Sequence, residues 1–190
     1  SYLQGPEYHH VLDLCAGTLA LTKELLKRNP LSWVTALDFS QEMLDRGLAT
    51  LPDDSRLKPV CADFLKWTPA ETFNAVMVAY GLRNIDDNRA AVRKVYNLLR
   101  PGGRFVILEF FQPDRWYTWA FHKTYAEFVI PAIGRLVSRH QEAYRHLRDS
   151  VRGFYTLDDY VVLLQETGFE IKTARRLTGG VSGLIVADKR

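Results

Sequence analysis

The stretch VLDLCAGT, residues 11–18, decides the fold. Its first four residues predict a short buried strand, and the small residues Ala16 and Gly17 predict a tight turn directly after it. Leu21 to Arg28 then has the apolar spacing of a helix, which Asn29-Pro30 ends. A buried strand, a tight turn and a helix in this order are typical of the first unit of a parallel sheet.

The same alternation continues along the chain. Further strands are predicted at residues 33–37, 57–61, 73–79, 104–110, 171–175 and 182–187. Ser40 can cap the helix after the second strand. Pro101-Gly102-Gly103 is expected to stop the helix before residue 104, because glycine accepts the left-handed conformation found at helix ends. The last two strands flank Thr178-Gly179-Gly180 and predict a closing hairpin. The sequence thus predicts an α/β fold with a mostly parallel, seven-stranded sheet flanked by helices.

Length and composition favour a single domain. The chain has 190 residues, 47% of them hydrophobic, so residues 1–190 can bury one sizeable core. It contains no run of about 18 uncharged apolar residues and no secretion signal, so a soluble, cytoplasmic protein is expected. Cys15 and Cys61 lack the paired spacing of a zinc site and are expected to be reduced thiols, and no metal is predicted.

The net charge of +3 is unevenly distributed. One stretch contains Arg135, Arg139, His140, Arg145, His146, Arg148 and Arg152. Such a stretch is either a patch for an anionic surface or a solvated helix face, and both interpretations stay open.

Acidic residues lie at the ends of three successive predicted strands. Asp13 is in the first strand, Asp38 follows the second, and Asp63 with Phe64 follows the third. In doubly wound sheets, ligands bind beyond the carboxyl ends of the strands. Asp38 can accept hydrogen bonds from both hydroxyls of a ribose, and Asp63 can accept an adenine amino hydrogen while Phe64 packs on the base.

Each of these residues also has a structural alternative. Asp13 can cap the turn after it, Asp38 can cap the next helix, and Phe64 can belong to the core. Taken together, the strand-end acids favour a nucleotide-type ligand. The sequence has no G-x-G-x-x-G, and a pyrophosphate needs a run of open backbone amides, so a ligand without phosphate is favoured over a dinucleotide.

Several longer motifs extend beyond the strand ends. They are ALDFSQEML at 36–44, YGLRNIDD at 80–87, LLRPGGRFVILEF at 98–110, VIPAIGRLV at 129–137, AYRHLRDSVR at 143–152 and LTGGV at 177–181. With VLDLCAGT, these motifs make nearly the whole chain resemble the ubiquinone/menaquinone biosynthesis C-methyltransferases, a family of Class I methyltransferases. The GLRN, IPxIGxLV, YRxLxxS and TGGV parts are the most specific to that family.

The resemblance implies a Class I, Rossmann-like domain that binds S-adenosylmethionine and methylates a ring carbon of a polyprenylated quinol. Benzoquinol and naphthoquinol rings both stay open. By this resemblance, Gly17 and Thr18 would line the methionine end, Asp38 the ribose and Asp63 the adenine. The full predicted cofactor set is Asp13, Gly17, Thr18, Asp38, Phe39, Asp63, Phe64 and Tyr80.

The chain departs from the family pattern in two places. The family loop usually reads G-T-G-D or G-T-A-D, whereas here Thr18 is followed by Leu19-Ala20. This removes an acid that commonly helps bind the methionine amino group, so the hold on that end of the cofactor is expected to differ. The family also has an N-terminal stretch that often closes over the cofactor. A lost lid and a lid outside the given sequence are the two alternatives.

Methylation of an aromatic carbon requires the ring to attack a sulfonium methyl group. A quinol does this best when a hydroxyl next to that carbon is deprotonated or strongly hydrogen-bonded. Arg83 and Asn84 follow the fourth strand, where the methyl group would be delivered, and a guanidinium can stabilise a developing phenolate. They are the predicted catalytic pair. The alternative is that Arg83 only bridges carbonyls of its loop.

Residues 112–150 are predicted to form a helical insertion on the substrate side. Tyr144 and Arg145 match a family motif and complete the predicted catalytic set, whereas His122 and Tyr125 are secondary candidates. The insertion is rich in apolar and aromatic residues, namely Trp116, Trp119, Phe121, Tyr125, Phe128, Val129 and Ile130. These residues either line a channel for a polyprenyl tail or pack in the core.

The predicted partner is the polyprenylated quinol, and no nucleic-acid partner is expected. Peripheral contact of the basic stretch with the inner membrane face, and a homodimer, are further hypotheses. Two other functions stay open. Asp38 would also serve an NAD-dependent oxidoreductase, and the Leu19-Ala20 departure would suit a non-catalytic scaffold of a quinone-biosynthesis complex.

Overall fold

The computed structural model describes residues 2, 3, 5, 7–51, 53–113 and 150–190. Its strands are β1 (His10–Leu14), β2 (Trp33–Asp38), β3 (Leu57–Cys61), β4 (Phe73–Ala79), β5 (Leu99–Phe110), β6 (Phe169–Leu177) and β7 (Ser182–Lys189). They form one sheet in the order β3-β2-β1-β4-β5-β7-β6. β1 to β5 run parallel, and β7 is antiparallel to both of its neighbours. The predicted seven-stranded α/β fold and its closing hairpin are confirmed.

Four α-helices whose bounds both lie within the described ranges flank the sheet. They are α1 (Ala20–Arg28), α2 (Gln41–Leu48), α3 (Asn88–Leu98) and α4 (Leu157–Thr167). The predicted cap of α2 is confirmed, since the Ser40 hydroxyl accepts a hydrogen bond from the Met43 N–H. None of these described helices is long and apolar enough to cross a membrane. The predicted insertion falls almost entirely on residues 114–149, outside the described residues.

The joint between α3 and β5 differs from the prediction. The helix ends at Leu98, and Leu99 is already extended and pairs with Phe73 of β4. The physical reason lies in Pro101, whose ring disfavours the helical conformation of the residue before it, Arg100. The helix therefore ends ahead of the proline, and Gly102, with a φ of 74°, lies within the irregular start of β5 rather than at a helix end.

The core covers both faces of the sheet, because successive strand residues point to opposite sides. Leu12 and Leu14 belong to the large cluster that includes residues of α3 and α4. Val11, which precedes Leu12 and points to the opposite face, packs with Leu25 and Leu26 of α1. β1 is thus buried on both faces, which fixes the position of the loop that follows it.

The loop from Cys15 to Leu19 joins β1 to α1 and packs against α2. Leu19 is fully buried beside Ala16 and Leu44, although its φ of 63° lies in the left-handed region that disfavours side chains. A Cβ at Gly47 would lie 2.6 Å from Leu19 Cγ, so α2 reaches the loop only because position 47 has no side chain. The loop is therefore held in place by a strained, buried leucine.

Substitution of Leu19 and of Leu44 by alanine and by glycine measures that strain. At Leu44, inside α2, we expect alanine to be the more stable by about 1 kcal/mol, the usual helical difference. At Leu19, glycine accepts the left-handed backbone, so the alanine advantage should shrink or reverse by about 1–2 kcal/mol. Urea unfolding of the four variants gives the free energies. An equal alanine advantage at both positions would show that Leu19 is unstrained.

Candidate active site

The carboxyl ends of β1 and β2 meet at one edge of the sheet, where Asp38 joins two elements. Its Oδ2 accepts a hydrogen bond from the Gly17 N–H at 2.8 Å, and its Oδ1 accepts one from the Ser40 N–H at 2.9 Å. Asp38 therefore fixes both the β1–α1 loop and the start of α2, although the cap of α2 is Ser40 and not Asp38. Each carboxylate oxygen keeps a further lone pair, so accepting hydrogen bonds from a ribose stays open to it.

Asp13 takes a structural position. Its side chain is 1% exposed, and its Oδ2 accepts hydrogen bonds from the Thr22 N–H at 3.1 Å and from the Thr22 hydroxyl at 2.6 Å. Burial raises the pKa of Asp13 to about 7, and the two Thr22 bonds oppose that shift. This geometry favours the capping alternative, in which Asp13 ties α1 to β1 from below the loop.

The surface above the loop is open and partly apolar. A Cβ on Gly17 would meet only Met43 Cε, at 3.6 Å, and Thr18 is exposed. The Phe39 ring directly follows Asp38 and is 74% exposed. An exposed aromatic ring beside a bare backbone and a carboxylate suits an adenosine-like ligand.

Asp63 and Phe64 separate in the structure. Asp63 is exposed, and its pKa is lowered mainly by the hydrogen bond from the Leu65 N–H, with Lys66 also contributing. Phe64 is only 4% exposed and packs in the core, with Lys94 Nζ 5.3 Å from its ring centroid. The structure therefore corrects the prediction for Phe64: a ring this deeply buried cannot cover a base, and Phe39 is the exposed aromatic residue at this edge.

The turn after β4 contacts the β1–α1 loop directly. A Cβ at Gly81 would lie 2.8 Å from Cys15 Sγ, closer than van der Waals contact allows. Both sides of this contact are strained, since Cys15 has a φ of 56° and Tyr80 a φ of 58°. The Tyr80 ring stacks on Phe110 with 4.4 Å between centroids. Strain of this kind clusters at functional sites, and here it joins the two loops of the candidate site.

Arg83 forms a buried ion pair that the sequence analysis did not foresee. Its Nη1 lies 2.6 Å from Glu109 Oε1 and also donates to the Tyr80 carbonyl at 2.6 Å. The guanidinium lies 5.4 Å from the Phe110 ring centroid. The carbonyl-bridging alternative therefore describes what Nη1 does. The buried Nε of Arg83, however, has no hydrogen-bond partner among the described residues.

Glu109 is the residue that the sequence analysis missed. It is fully buried, and it also accepts hydrogen bonds from the backbone N–H groups of Phe110 at 2.8 Å and Arg83 at 3.4 Å. Burial raises its pKa, and the Arg83 charge opposes the rise. The available signal was the period of two in β5, which puts Glu109 on the buried face that Phe105 and Ile107 share.

A second set of hydrogen bonds holds the turn that carries Arg83. Asn88 Nδ2 donates to the carbonyls of Leu82 at 3.1 Å and Ile85 at 2.8 Å, and the Tyr160 hydroxyl donates to Asn88 Oδ1 at 3.1 Å. A cavity of about 550 Å³ adjoins the turn. Its lining includes Arg83, Asp86, Arg89, Phe154 and Tyr155.

Of the predicted catalytic residues, Arg83 and Asn84 are the two that the structure describes. Asn84 is exposed and does not line the cavity. Tyr144, Arg145, His122 and Tyr125 lie outside the described residues. At the departing loop, Leu19 turns inward into the core, so the chain places an apolar side chain where the family pattern allows a small residue.

Comparison with known proteins assigns this arrangement to a family. A family model described as the ubiE/COQ5 methyltransferase family matches residues 3–189. The chain belongs to this family. A demethylmenaquinone methyltransferase of Streptomyces griseus subsp. griseus is 37% identical over 180 residues, 92% of this chain and 74% of that protein. A ubiquinone/menaquinone biosynthesis C-methyltransferase UbiE of Pseudoalteromonas translucida is 31% identical over 183 residues, 93% of this chain and 72% of that protein.

Solved structures have the same fold. An S-adenosylmethionine-dependent methyltransferase from Mesorhizobium loti superposes with a TM-score of 0.69 at 18% identity, over 98% of this chain and 94% of that chain. The N-methyltransferase NodS from Bradyrhizobium japonicum, in complex with S-adenosyl-L-homocysteine, gives a TM-score of 0.67 at 15% identity, over 96% of this chain and 78% of that chain. The family confirms the predicted methyltransferase class and its S-adenosylmethionine cofactor, and sets aside the NAD-dependent oxidoreductase.

The buried carboxyl of Asp13 should make stability depend on pH. Its pKa of about 7 in the folded chain exceeds the ordinary 3.8, so between these values the folded chain holds a proton that the unfolded chain releases. The stabilisation that neutral Asp13 gives to the folded chain is fully present below about pH 4 and is lost as the pH rises through about 7. Asp13→Asn cannot ionise, so its free energy of unfolding relative to wild type should rise by about 2–3 kcal/mol between about pH 5 and 8. Urea titrations at both pH values measure this, and parallel profiles would contradict it.

The contact between Gly81 and Cys15 can be tested by adding a methyl group. Gly81→Ala should destabilise the fold by about 1–3 kcal/mol and weaken S-adenosylmethionine binding at least about tenfold, because the loop must move away. Cys15→Gly in the same chain should restore much of the affinity. Gly102→Ala is the control for strain without contact. Its φ of 74° disfavours alanine, but no atom lies within 4 Å of the added methyl group, so it should cost stability and leave the affinity unchanged. Calorimetry gives the affinities, and unchanged affinity in Gly81→Ala would mean that the contact is dispensable.

Proposed function

We propose that the chain transfers the methyl group of S-adenosylmethionine to a ring carbon of a polyprenylated quinol in ubiquinone or menaquinone biosynthesis. The names of the relatives, UbiE and demethylmenaquinone methyltransferase, support the substrate class. The observation that carries the proposal is Arg83. Arg83 lines a cavity of about 550 Å³ beside the turn after β4, and its buried Nε has no partner among the described residues.

The residues at the sheet edge fit the cofactor. Gly17 leaves the backbone bare, Asp38 keeps free lone pairs for the ribose hydroxyls, and the exposed Phe39 ring can cover the adenine. Exposed Asp63 stays a candidate for the adenine amino group, and Tyr80 for the methionine side. S-Adenosylmethionine supplies a methyl group whose S–C bond breaks with its electron pair staying on sulfur, while a C–C bond forms to the ring and the ring proton passes to water.

The role of Arg83 is electrostatic. An arginine hardly ever loses its proton in a protein, so it does not act as a base. Its Nε–H can donate to the quinol oxygen next to the reacting carbon, and this bond strengthens as negative charge builds on that oxygen. An unpaired buried N–H costs about 1–3 kcal/mol, which favours an oxygen ligand at this position. Phe154 and Tyr155 line the same cavity and offer faces against which an aromatic ring can pack.

Three predictions, on membrane contact, on a homodimer and on a polyprenyl channel, rest on the sequence alone. The basic stretch that would contact an anionic membrane lies mostly outside the described residues. Peripheral membrane contact and a homodimer therefore stay hypotheses, as does the polyprenyl channel in the insertion.

Arg83→Ala tests the catalytic role. We expect methyl transfer from labelled S-adenosylmethionine to fall about 10²–10³-fold with either demethylated benzoquinol or demethylated naphthoquinol as acceptor, while cofactor binding persists. Comparing the two acceptors in wild type also identifies the preferred ring. Arg100→Ala is the matched control, because Arg100 is exposed, donates to Thr72 and lies at the opposite end of β5.

Undiminished turnover in Arg83→Ala would remove Arg83 from the mechanism. A wild-type chain that binds S-adenosylmethionine but methylates neither quinol would favour the scaffold alternative. Binding of neither cofactor nor quinol would overturn the proposed function altogether.

A further inference from the structure

The ion pair between Arg83 and Glu109 is more deeply buried than the other ion pairs of the described residues. The Glu109 side chain is fully buried and that of Arg83 is 12% exposed, with 2.6 Å between Nη1 and Oε1. Removing two charges from water costs several kcal/mol per ion, so a buried pair of this kind is a poor device for stability alone. The Glu109 carboxylate accepts hydrogen bonds from the Arg83 guanidinium and from two backbone N–H groups. It donates no hydrogen bond to these groups, which is the pattern of an ionised acid.

This pair lies beside the loop that belongs to the cofactor side. Gly81 precedes Arg83 by two residues and packs on Cys15 of that loop. Burial, the largest cause, and the charges of Asp38, Asp13 and Glu109 together raise the pKa of the Cys15 thiol to about 12, and the Arg83 charge opposes the rise. Three acids and one guanidinium therefore act on Cys15, in the loop where the methionine end of the cofactor is expected.

Resting on the proposed function, this arrangement poses an electrostatic problem. The cofactor carries a positive sulfonium, and the mechanism needs a positive guanidinium close to the methyl group. Like charges that lie close together repel more strongly in the low dielectric of a protein interior than in water. We propose that Glu109 is the counter-charge that lets Arg83 stand beside a cationic cofactor, so that S-adenosylmethionine is not disfavoured relative to S-adenosylhomocysteine, whose sulfur is uncharged. Glu109 is thus a positioning residue that acts through Arg83.

A purely structural role of Glu109 would change the ligand affinities in a different way. If it only holds the turn in place, its loss weakens the cationic and the neutral ligand alike. If it balances charge, its loss affects the cationic ligand more, because a lone guanidinium repels the sulfonium and not the thioether. The ratio of the two dissociation constants separates these roles without any turnover.

The experiment measures the affinity of S-adenosylmethionine, of sinefungin, which carries an amine cation in place of the sulfonium, and of S-adenosylhomocysteine by calorimetry without quinol. In Glu109→Gln, we expect both cationic ligands to weaken about fivefold or more relative to S-adenosylhomocysteine. The double variant Arg83→Gln, Glu109→Gln removes both charges and should return the ratio to within about twofold of wild type. Glu170→Gln breaks an exposed pair with Lys172 on β6 and should leave the ratio unchanged.

The outcomes separate the inference from the function on which it rests. Wild type that binds none of the ligands overturns the proposed function. Wild type that binds all three, with a Glu109→Gln variant that weakens them equally, overturns the counter-charge role alone. Should Glu109→Gln fail to fold, Arg83→Gln leaves Glu109 without its partner. Because burial raises the Glu109 pKa and Arg83 no longer opposes the rise, the ratio is measured at several pH values upwards from about 7. Arg83→Gln should then shift the ratio in favour of the cations, and a shift against them would overturn the proposal.

Discussion

The close approach of three chain segments around residues 15–19 is the constraint on which the site depends. Gly47 of α2 lies on one side of this loop and Gly81 of the turn after β4 on the other, and neither position leaves room for a Cβ. Asp38 ties the same loop to β2 through the Gly17 N–H. The left-handed backbone at Cys15, Leu19 and Tyr80 is the conformational cost of this packing, and the surrounding core stabilises it.

The strands could be predicted closely because their apolar runs are bounded by turn residues. The predicted bounds of Leu57–Cys61 and Phe73–Ala79 match those of β3 and β4 in the structure. The second of these strands, β4, is largely buried, and its sequence is apolar almost throughout. The start of β5 could not be placed in the same way. The glycines after Pro101 suggested a helix end, whereas the proline itself had already ended the helix at Leu98.

The site was harder to predict than the fold, because a motif gives positions along the chain and not partners in space. Asp38 and Arg83 lie at the expected sheet edge, but the sequence does not reveal that Arg83 is paired with a residue 26 positions later. Phe64 and Phe39 also show that a position along the chain does not reveal the surroundings of a side chain. Both follow a strand-end acid, yet one ring lies in the core and the other in solvent, and only the packing of α3 and Lys94 around Phe64 distinguishes them.

The position of β7 has a consequence for how the chain is assembled. Of the seven strands, Ser182–Lys189 is synthesised last, yet it lies between β5 and β6 and pairs with both. Until it is made, β5 is an open sheet edge with unpaired N–H and C=O groups, and β6 has no place to dock. A ribosome-bound chain that ended before residue 182 would therefore expose a ready-made template for another strand. Such an edge is where a chaperone has most to protect and where misassembly between neighbouring nascent chains would begin.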